Sequence, residues 1–497
     1  METRKSILLV TVDCLRADHV GFMGYPRPTT PFLDSLSQES FLFPKAIVVG
    51  APTYYSLPGI LASRYPLALG RDVLGLAPGE ETLASALAAV GYKTAGFSAA
   101  NPYISSRFGY AQGMAEFHEF LNDDTASGTV PEPQLTNGGW ASRLNRRLQA
   151  ARNRLGPLGV VYDELYFRYC QRVSPSASSL DALRRFPAAD EIVDHACRWL
   201  SSVGESPFFL WLHFMDPHSP YYPKDEALAL MNDKQLPPNR ARYLNSYWNR
   251  SDVGPRRLGS CRDQIVKLYD AGVRWVDVQV ARLVSALRKM GLWNNCMFAL
   301  TADHGEEFLD HGGRFHPPSR LAEELIHVPL LLRVPRTTKK EVSKDPFSLL
   351  HLAPTLLDAA ESPIPSQFLG VSHWPGLKHG ASSSSTAISE CIAGCTNPFR
   401  PENRLGPRIL SVRESRFKLI LYFDPPADYL YDLDADPGEQ APLAPHAQKP
   451  VRNRLLEVAR NHLQHSISQR DEHMRLGARL RDLRLEWLGS FPHRPEA

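Results

Sequence analysis

Two short stretches carry residues whose types and spacing could do chemistry on an anion. Thr301-Ala302-Asp303-His304-Gly305-Glu306-Glu307 follows the apolar run Cys296-Met297-Phe298-Ala299-Leu300, and Asp13 follows Ile7-Leu8-Leu9-Val10-Thr11-Val12. A carboxylate beside an imidazole is a ligand pair suited to zinc, manganese or another borderline cation. A second carboxylate at the end of another apolar run would add a third ligand. Each motif alone also has an ordinary reading: Asp303-His304 as a solvated strand end, Asp13 as a helix N-cap. Their recurrence in the same kind of position favours the ligand reading.

Such groups need rigid elements behind them. Ile7 to Val12 is aliphatic and β-branched, the composition of a parallel strand buried on both faces. In open α/β sheets, sites form beyond the carboxyl ends of the strands. Pro207 to Phe214 is a third apolar run, and it enters His213, Asp216 and His218. Two histidines and an acid there suit leaving-group protonation or a second metal. Phe41 to Gly50 reads as a strand, as do Thr94 to Ser98, which reaches Asn101, and Val328 to Val334. Helices are expected at about 31–40, at Glu81 to Val90 before Gly91, at 262–290 and at Leu349 to Ala359. Asn101, before Pro102, forms a turn or touches substrate. Ala51 to Pro66 opens on Thr53 and Ser56, and a hydroxyl at a helix mouth either caps the helix or meets an anion there.

Length and composition set bounds. The chain has 497 residues, with room for two domains. Its formal charge of +3 argues against a dedicated nucleic-acid binder. Seven cysteines without a paired pattern fit a free-thiol protein of a reducing compartment. The first apolar run is too short for a signal peptide and no later one reaches a membrane span, so a soluble, cytoplasmic protein is expected.

Beyond these local readings, the motifs together resemble a known family. Ile7-Leu-Leu-Val-Thr-Val-Asp-Cys-Leu-Arg-Ala-Asp-His19, Gly24-Tyr-Pro-Arg-Pro-Thr-Thr-Pro31, Ser63-Arg-Tyr-Pro66, Leu212-His-Phe-Met-Asp-Pro-His218, Ala302-Asp-His-Gly-Glu-Glu307 and Tyr429-Leu-Tyr-Asp-Leu-Asp434 stand in the order of the sulfatase family, of the alkaline phosphatase superfamily. The resemblance implies an alkaline-phosphatase-like, mostly parallel α/β sheet sandwiched by helices, with a smaller C-terminal α+β subdomain. It implies a divalent ion (calcium, manganese or zinc) at Asp13, Thr53, Asp303 and His304, and an anionic ester as substrate.

The family's nucleophile position, counted back from Arg64, falls on Thr53, where typical members carry a Cys or Ser that is oxidised to formylglycine. Leu57 stands where those members have an arginine, and Ser56 is three residues out of spacing. Other members of the superfamily use a metal-bound threonine. By resemblance His218 contacts substrate and His213 sits in the same motif. His316 is the nearest match to a Lys or His that precedes the Leu321-Ala-Glu-Glu segment, with Arg314 as competitor. A threonine ester cannot be released by elimination as a formylglycine sulfate can, which favours phosphoryl or phosphonyl over sulfuryl chemistry. The readings are therefore a hydrolase of a phosphate, phosphonate or sulfate ester, a phosphotransferase with the same residues, or a degenerate scaffold that binds an anion.

Residues 1–375 are assigned to the catalytic domain, with specificity insertions at about 121–190 and 221–262. Residues 376–497 form the subdomain, with strands at 408–422. The basic segments 143–154 and 470–484 read as solvated faces or docking surfaces, and the helical tail, with Leu455, Val458 and Leu463 on one face, is expected to pack on the catalytic domain. Oligomeric state is left open.

Overall fold

The protein is described by a computed structural model covering residues 4–121, 157–174, 176–233, 236–337, 340–379 and 386–468. The basic segments 143–154 and 470–484 lie outside the described residues.

Eight strands form the main sheet. Their spatial order is Glu341–Val342, Phe41–Leu42, Leu330–Arg333, Cys296–Ala302, Ser6–Val12, Phe208–Phe214, Lys93–Ser98 and Glu116–His118. The last five run parallel. Leu330–Arg333 joins Cys296–Ala302 antiparallel. The three central strands are buried at every position, which is why they read as continuous apolar runs rather than alternating ones. Helices cover both faces. The longest, Pro255–Lys289, buries Ile265, Leu268, Val273, Val276, Val280 and Leu283 at helical spacing.

Register decides the rest. Val12 lies opposite Phe214 on one side and Ala302 on the other. Asp13 and Asp303 are each one residue further on. Two acids 290 positions apart thus leave adjacent strands side by side at the carboxyl edge.

Four antiparallel strands, Thr386–Ile392, Arg408–Glu414, Phe417–Phe423 and Pro426–Asp432, form a second sheet. The tail helix Lys449–Ser468 packs on this sheet rather than on the large one. Leu455, Ala459 and Leu463 meet Leu410, Val412, Leu419 and Leu421, while Val458 is only partly buried. The expectation that the tail packs on the catalytic domain is corrected in part: the helix chiefly covers the four-stranded sheet, the apolar surface nearest in sequence, and meets the catalytic domain at Tyr65, whose ring lies 4.5 Å from that of His462. The second sheet is itself fastened to the first unit. Glu390 N–H donates to Val49 C=O at 2.9 Å. Fully buried Lys418 bridges Glu323 at 3.1 Å and Glu439 at 2.8 Å, and Arg413 adds a further ion pair to Glu323.

Candidate active site

The two carboxylates are fully buried; Asp303 has one oxygen pinned and one without a partner, while Asp13 is engaged at both, its Oδ1 by the Cys14 thiol. Asp303 Oδ1 accepts from the backbone N–H groups of His304 at 2.9 Å and Cys14 at 3.3 Å. Its Oδ2 has no hydrogen-bond partner among the described residues. Asp13 Oδ2 accepts from Asn101 Nδ2 at 2.8 Å and faces His213 Nε2 at 3.3 Å. Its Oδ1 points toward His304 Nε2 at 3.7 Å.

His304 Nδ1 lies 2.8 Å from Gly305 C=O. A carbonyl only accepts, so Nδ1 carries the proton and Nε2 presents a lone pair. That lone pair is 3.5 Å from Asp303 Oδ2. The loop is tightly set: a Cβ on Gly305 would stand 2.0 Å from Glu324 C=O, which requires glycine there.

Thr53 begins the helix Thr53–Ala62, with Pro52 as its extended N-cap. The Thr53 hydroxyl lies 3.1 Å from His304 Nε2. It also lines a cavity of about 390 Å³ shared with Asn101, Tyr103, His218, Arg314 and His316. Ser56, its sequence rival, is fully buried in the same helix and is absent from that lining. Leu57, at the family's arginine position, is a fully buried core residue.

The remaining candidates divide. His316 Nδ1 is held at 2.8 Å by Glu306 Oε2, and Tyr221 OH donates to the other Glu306 oxygen at 2.5 Å. The His316 ring lies 4.5 Å from that of His304 and 5.1 Å from that of His218. Arg314 lines the cavity, but its Nη1 donates to the carbonyls of Trp248 and Arg250. Asn101 donates one amide N–H to Asp13, accepts from Tyr103 N–H at 2.9 Å and lines the cavity. His213 is corrected from a substrate contact. It is fully buried beneath Asp13, and its Nδ1 is engaged by Thr11 Oγ1 at 2.8 Å.

The donor set suits a cation. Asp13 Oδ1 and Asp303 Oδ2 lie 3.7 and 3.5 Å from the His304 lone pair, and all three side chains are fully buried. Burial and the adjacent Asp13 carboxylate push Asp303 up from its ordinary value. Burial acts the same way on Asp13, but the nearby His218, the hydrogen bond with His213 and the adjacent His304 outweigh it and hold that carboxyl well down. Burial also opposes ionisation of Glu306, and His316 and His218 hold it below the usual carboxylate range. Two carboxylates at this depth ionise together only with a positive partner. Ligands about 2.0–2.3 Å from one zinc-like ion lie roughly 3–3.7 Å apart, as His304 Nε2 does from each carboxylate oxygen.

Sequence reasoning missed three residues here. Cys14 sits among the ligand atoms, its Sγ 3.1 Å from Asp13 Oδ1. Glu306 and Tyr221 orient His316. Cys14 and Glu306 were signalled by adjacency to Asp13 and His304; Tyr221 had no local signal.

The family described as Sulfatase matches residues 5–362. That described as N-sulphoglucosamine sulphohydrolase, C-terminal, matches residues 314–465. An arylsulfatase of Clostridium perfringens is 24% identical over 406 residues, covering 74% of this chain and 77% of its own. The multifunctional alkaline phosphatase superfamily protein PehA of Trinickia caryophylli is 22% identical over 488 residues, covering 89% and 91%. The match to arylsulfatase K of Xenopus laevis, 26% identical, spans about half of each, 52% of this chain and 53% of that protein. The phosphonate monoester hydrolase of Agrobacterium radiobacter superposes with a TM-score of 0.65 at 18% identity over 94% of this chain and 96% of its own. Among the described residues no helix is long and apolar enough to cross a membrane.

Proposed function

From the premise that this chain belongs to the sulfatase family, and is an ester hydrolase, we propose that it cleaves a phosphate or phosphonate ester through a covalent bond to Thr53. The observation that carries this reading is the Thr53 hydroxyl at the helix mouth, 3.1 Å from His304 Nε2 and on the wall of the cavity. Asp13, Asp303 and His304 would hold a divalent ion, with calcium, manganese and zinc all compatible with the oxygens and the imidazole. Bound there, the ion would lower the pKa of the Thr53 hydroxyl and neutralise charge on the substrate.

The chain's own groups account for the rest. Thr53 Oγ1 gives up its proton to solvent, from which it regains one when the threonine ester opens, and forms a bond to phosphorus as the bond from phosphorus to the ester oxygen breaks and that oxygen departs with a proton from His218 or His316. Glu306 fixes His316 by its Nδ1, which leaves Nε2 for that transfer. The same histidine then takes a proton from the water that opens the threonine ester. Loss of charge from the arginine position, now Leu57, and the inability of a threonine ester to eliminate favour phosphorus over sulfur as the centre attacked.

Chromogenic phosphate diester, phosphate monoester, phosphonate and sulfate esters should be compared on the wild type and on Thr53→Ala. Turnover of phosphorus esters is expected, falling by on the order of 10³-fold or more in the variant. Mass spectrometry of quenched reactions should find the adduct on Thr53. Turnover of sulfate esters alone, or full activity in Thr53→Ala, would overturn the proposal.

A further inference from the structure

Cys14 lies where no packing role explains it. A buried free cysteine ordinarily behaves as a small apolar side chain. Cys14 instead follows Asp13 directly and points its Sγ into the polar cluster, 3.1 Å from Asp13 Oδ1 and 3.4 Å from His316 Nδ1. Ligand atoms of Cys14, His304 and His316 all lie within 4.8 Å of one another, as do those of Asp13, Cys14 and His218.

One independent observation points to a ligand rather than a filler: Asp303 is fully buried, with its Oδ2 unpartnered and 3.5 Å from His304 Nε2, and His304 also offers a ligand atom within 4.8 Å of the Cys14 sulfur. The backbone is compatible with that role: Cys14 has φ 61°, a left-handed conformation that non-glycine residues rarely adopt. The conformation is fixed from both sides. Cys14 N–H donates to Asp303 Oδ1 at 3.3 Å, and its C=O accepts from Tyr269 OH at 2.7 Å. Tyr269 OH in turn accepts from Arg16 N–H at 2.9 Å.

We propose that Cys14 supplies a thiolate to the cation held by Asp13, Asp303 and His304, so that the centre selects zinc-like ions over calcium or magnesium. The inference rests on the metal-site reading given above. Sulfur ligands favour zinc and its neighbours, whereas calcium and magnesium require oxygen. On binding, the S–H bond breaks, a sulfur–metal bond forms and one proton leaves to solvent for each ion. No oxidation state changes. The strained turn then has a purpose: it brings sulfur and carboxylate from consecutive residues onto one ion, which an extended strand end would send to opposite faces.

Cobalt(II) is the probe. One equivalent added to the metal-free wild type should give a thiolate-to-cobalt charge-transfer band in the near ultraviolet. Cys14→Ser should bind cobalt without the band, and Asp303→Ala should bind no cobalt at that site. In competition, Cys14→Asp should lower the preference for zinc over calcium by at least about tenfold. X-ray absorption of the zinc-loaded wild type, which depends on no variant, should show one sulfur at about 2.3 Å. Cobalt or zinc bound in an Asp303-dependent way without a sulfur signal would overturn the role of Cys14 and leave the metal site standing. No divalent ion bound at all would overturn both.

Discussion

Thr11→Val tests how the protein aims Asp13. Thr11 sits two residues before Asp13 in the Ser6–Val12 strand, fully buried. Its Oγ1 accepts from Trp211 Nε1–H at 2.9 Å and lies 2.8 Å from His213 Nδ1. His213 Nε2 faces Asp13 Oδ2, which can only accept. In the neutral ring Nε2 therefore carries the proton and Nδ1 accepts from the Thr11 hydroxyl. The chain Trp211, Thr11, His213, Asp13 turns Asp13 Oδ1 toward the cation. Valine keeps the shape and removes the oxygen. It strands a buried Trp211 N–H and frees the imidazole, at a cost of about 1–3 kcal/mol in stability. Loss of an outer hydrogen-bond partner of a ligand weakens metal binding by about 10–100-fold, or about 1.4–2.8 kcal/mol. The assay is competition against a chromogenic chelator, with thermal unfolding alongside. Trp211→Phe is the control, since it removes the indole donor and leaves the Thr11–His213 bond, so its affinity should stay near wild type. Thr11→Val holding metal within twofold of wild type, while Asp13→Ala loses it, would refute the argument.

Two further outcomes concern the junction of the sheets. Lys418→Met removes the cation shared by buried Glu323 and Glu439, and an unfolding free energy from denaturant titration lower by about 3–5 kcal/mol is expected, partly restored by adding Glu439→Gln. Glu390 is fully buried; burial alone would raise its carboxyl, but its hydrogen bond and ion pair with His462 hold it at about 2. Its folded pKa is thus depressed below the ordinary value of about 4.3. The linked stability is present above that value and is lost as pH falls through about 4 toward 2, by up to about 3 kcal/mol. Unfolding between pH 6 and 2 should therefore be shallower in His462→Gln; identical profiles would rule the pair out as the cause.

Several elements were legible in the chain because their physics is local. Ile7 to Val12, Pro207 to Phe214 and Cys296 to Leu300 read as buried strands from their unbroken apolar composition, and each forms a strand of the central sheet. Asp13, Asp303 and His304 could be singled out because each ends such a run. The sulfatase family's spacing, counted back from Arg64, pointed to Thr53 rather than Ser56. Other features were not local. His213 looked like a companion of His218, but its strand partner Thr11 and the register beside Asp13 bury it. Arg314 and His316 could not be separated by sequence, since only the fold brings Trp248 and Arg250 to one and Glu306 to the other. The tail's apolar stripe was visible, but not which sheet it covers.

The sequence by itself determined which residue types reach the carboxyl edge of the sheet, because a strand's composition and the residue that follows it are contiguous. Only the tertiary structure decided how each oxygen of the two acids is engaged, which histidines face the cavity, and that Cys14 turns back onto Asp13. The bonds that hold the two acids reach 88 to 289 residues along the chain, and a pattern of neighbours carries no record of them.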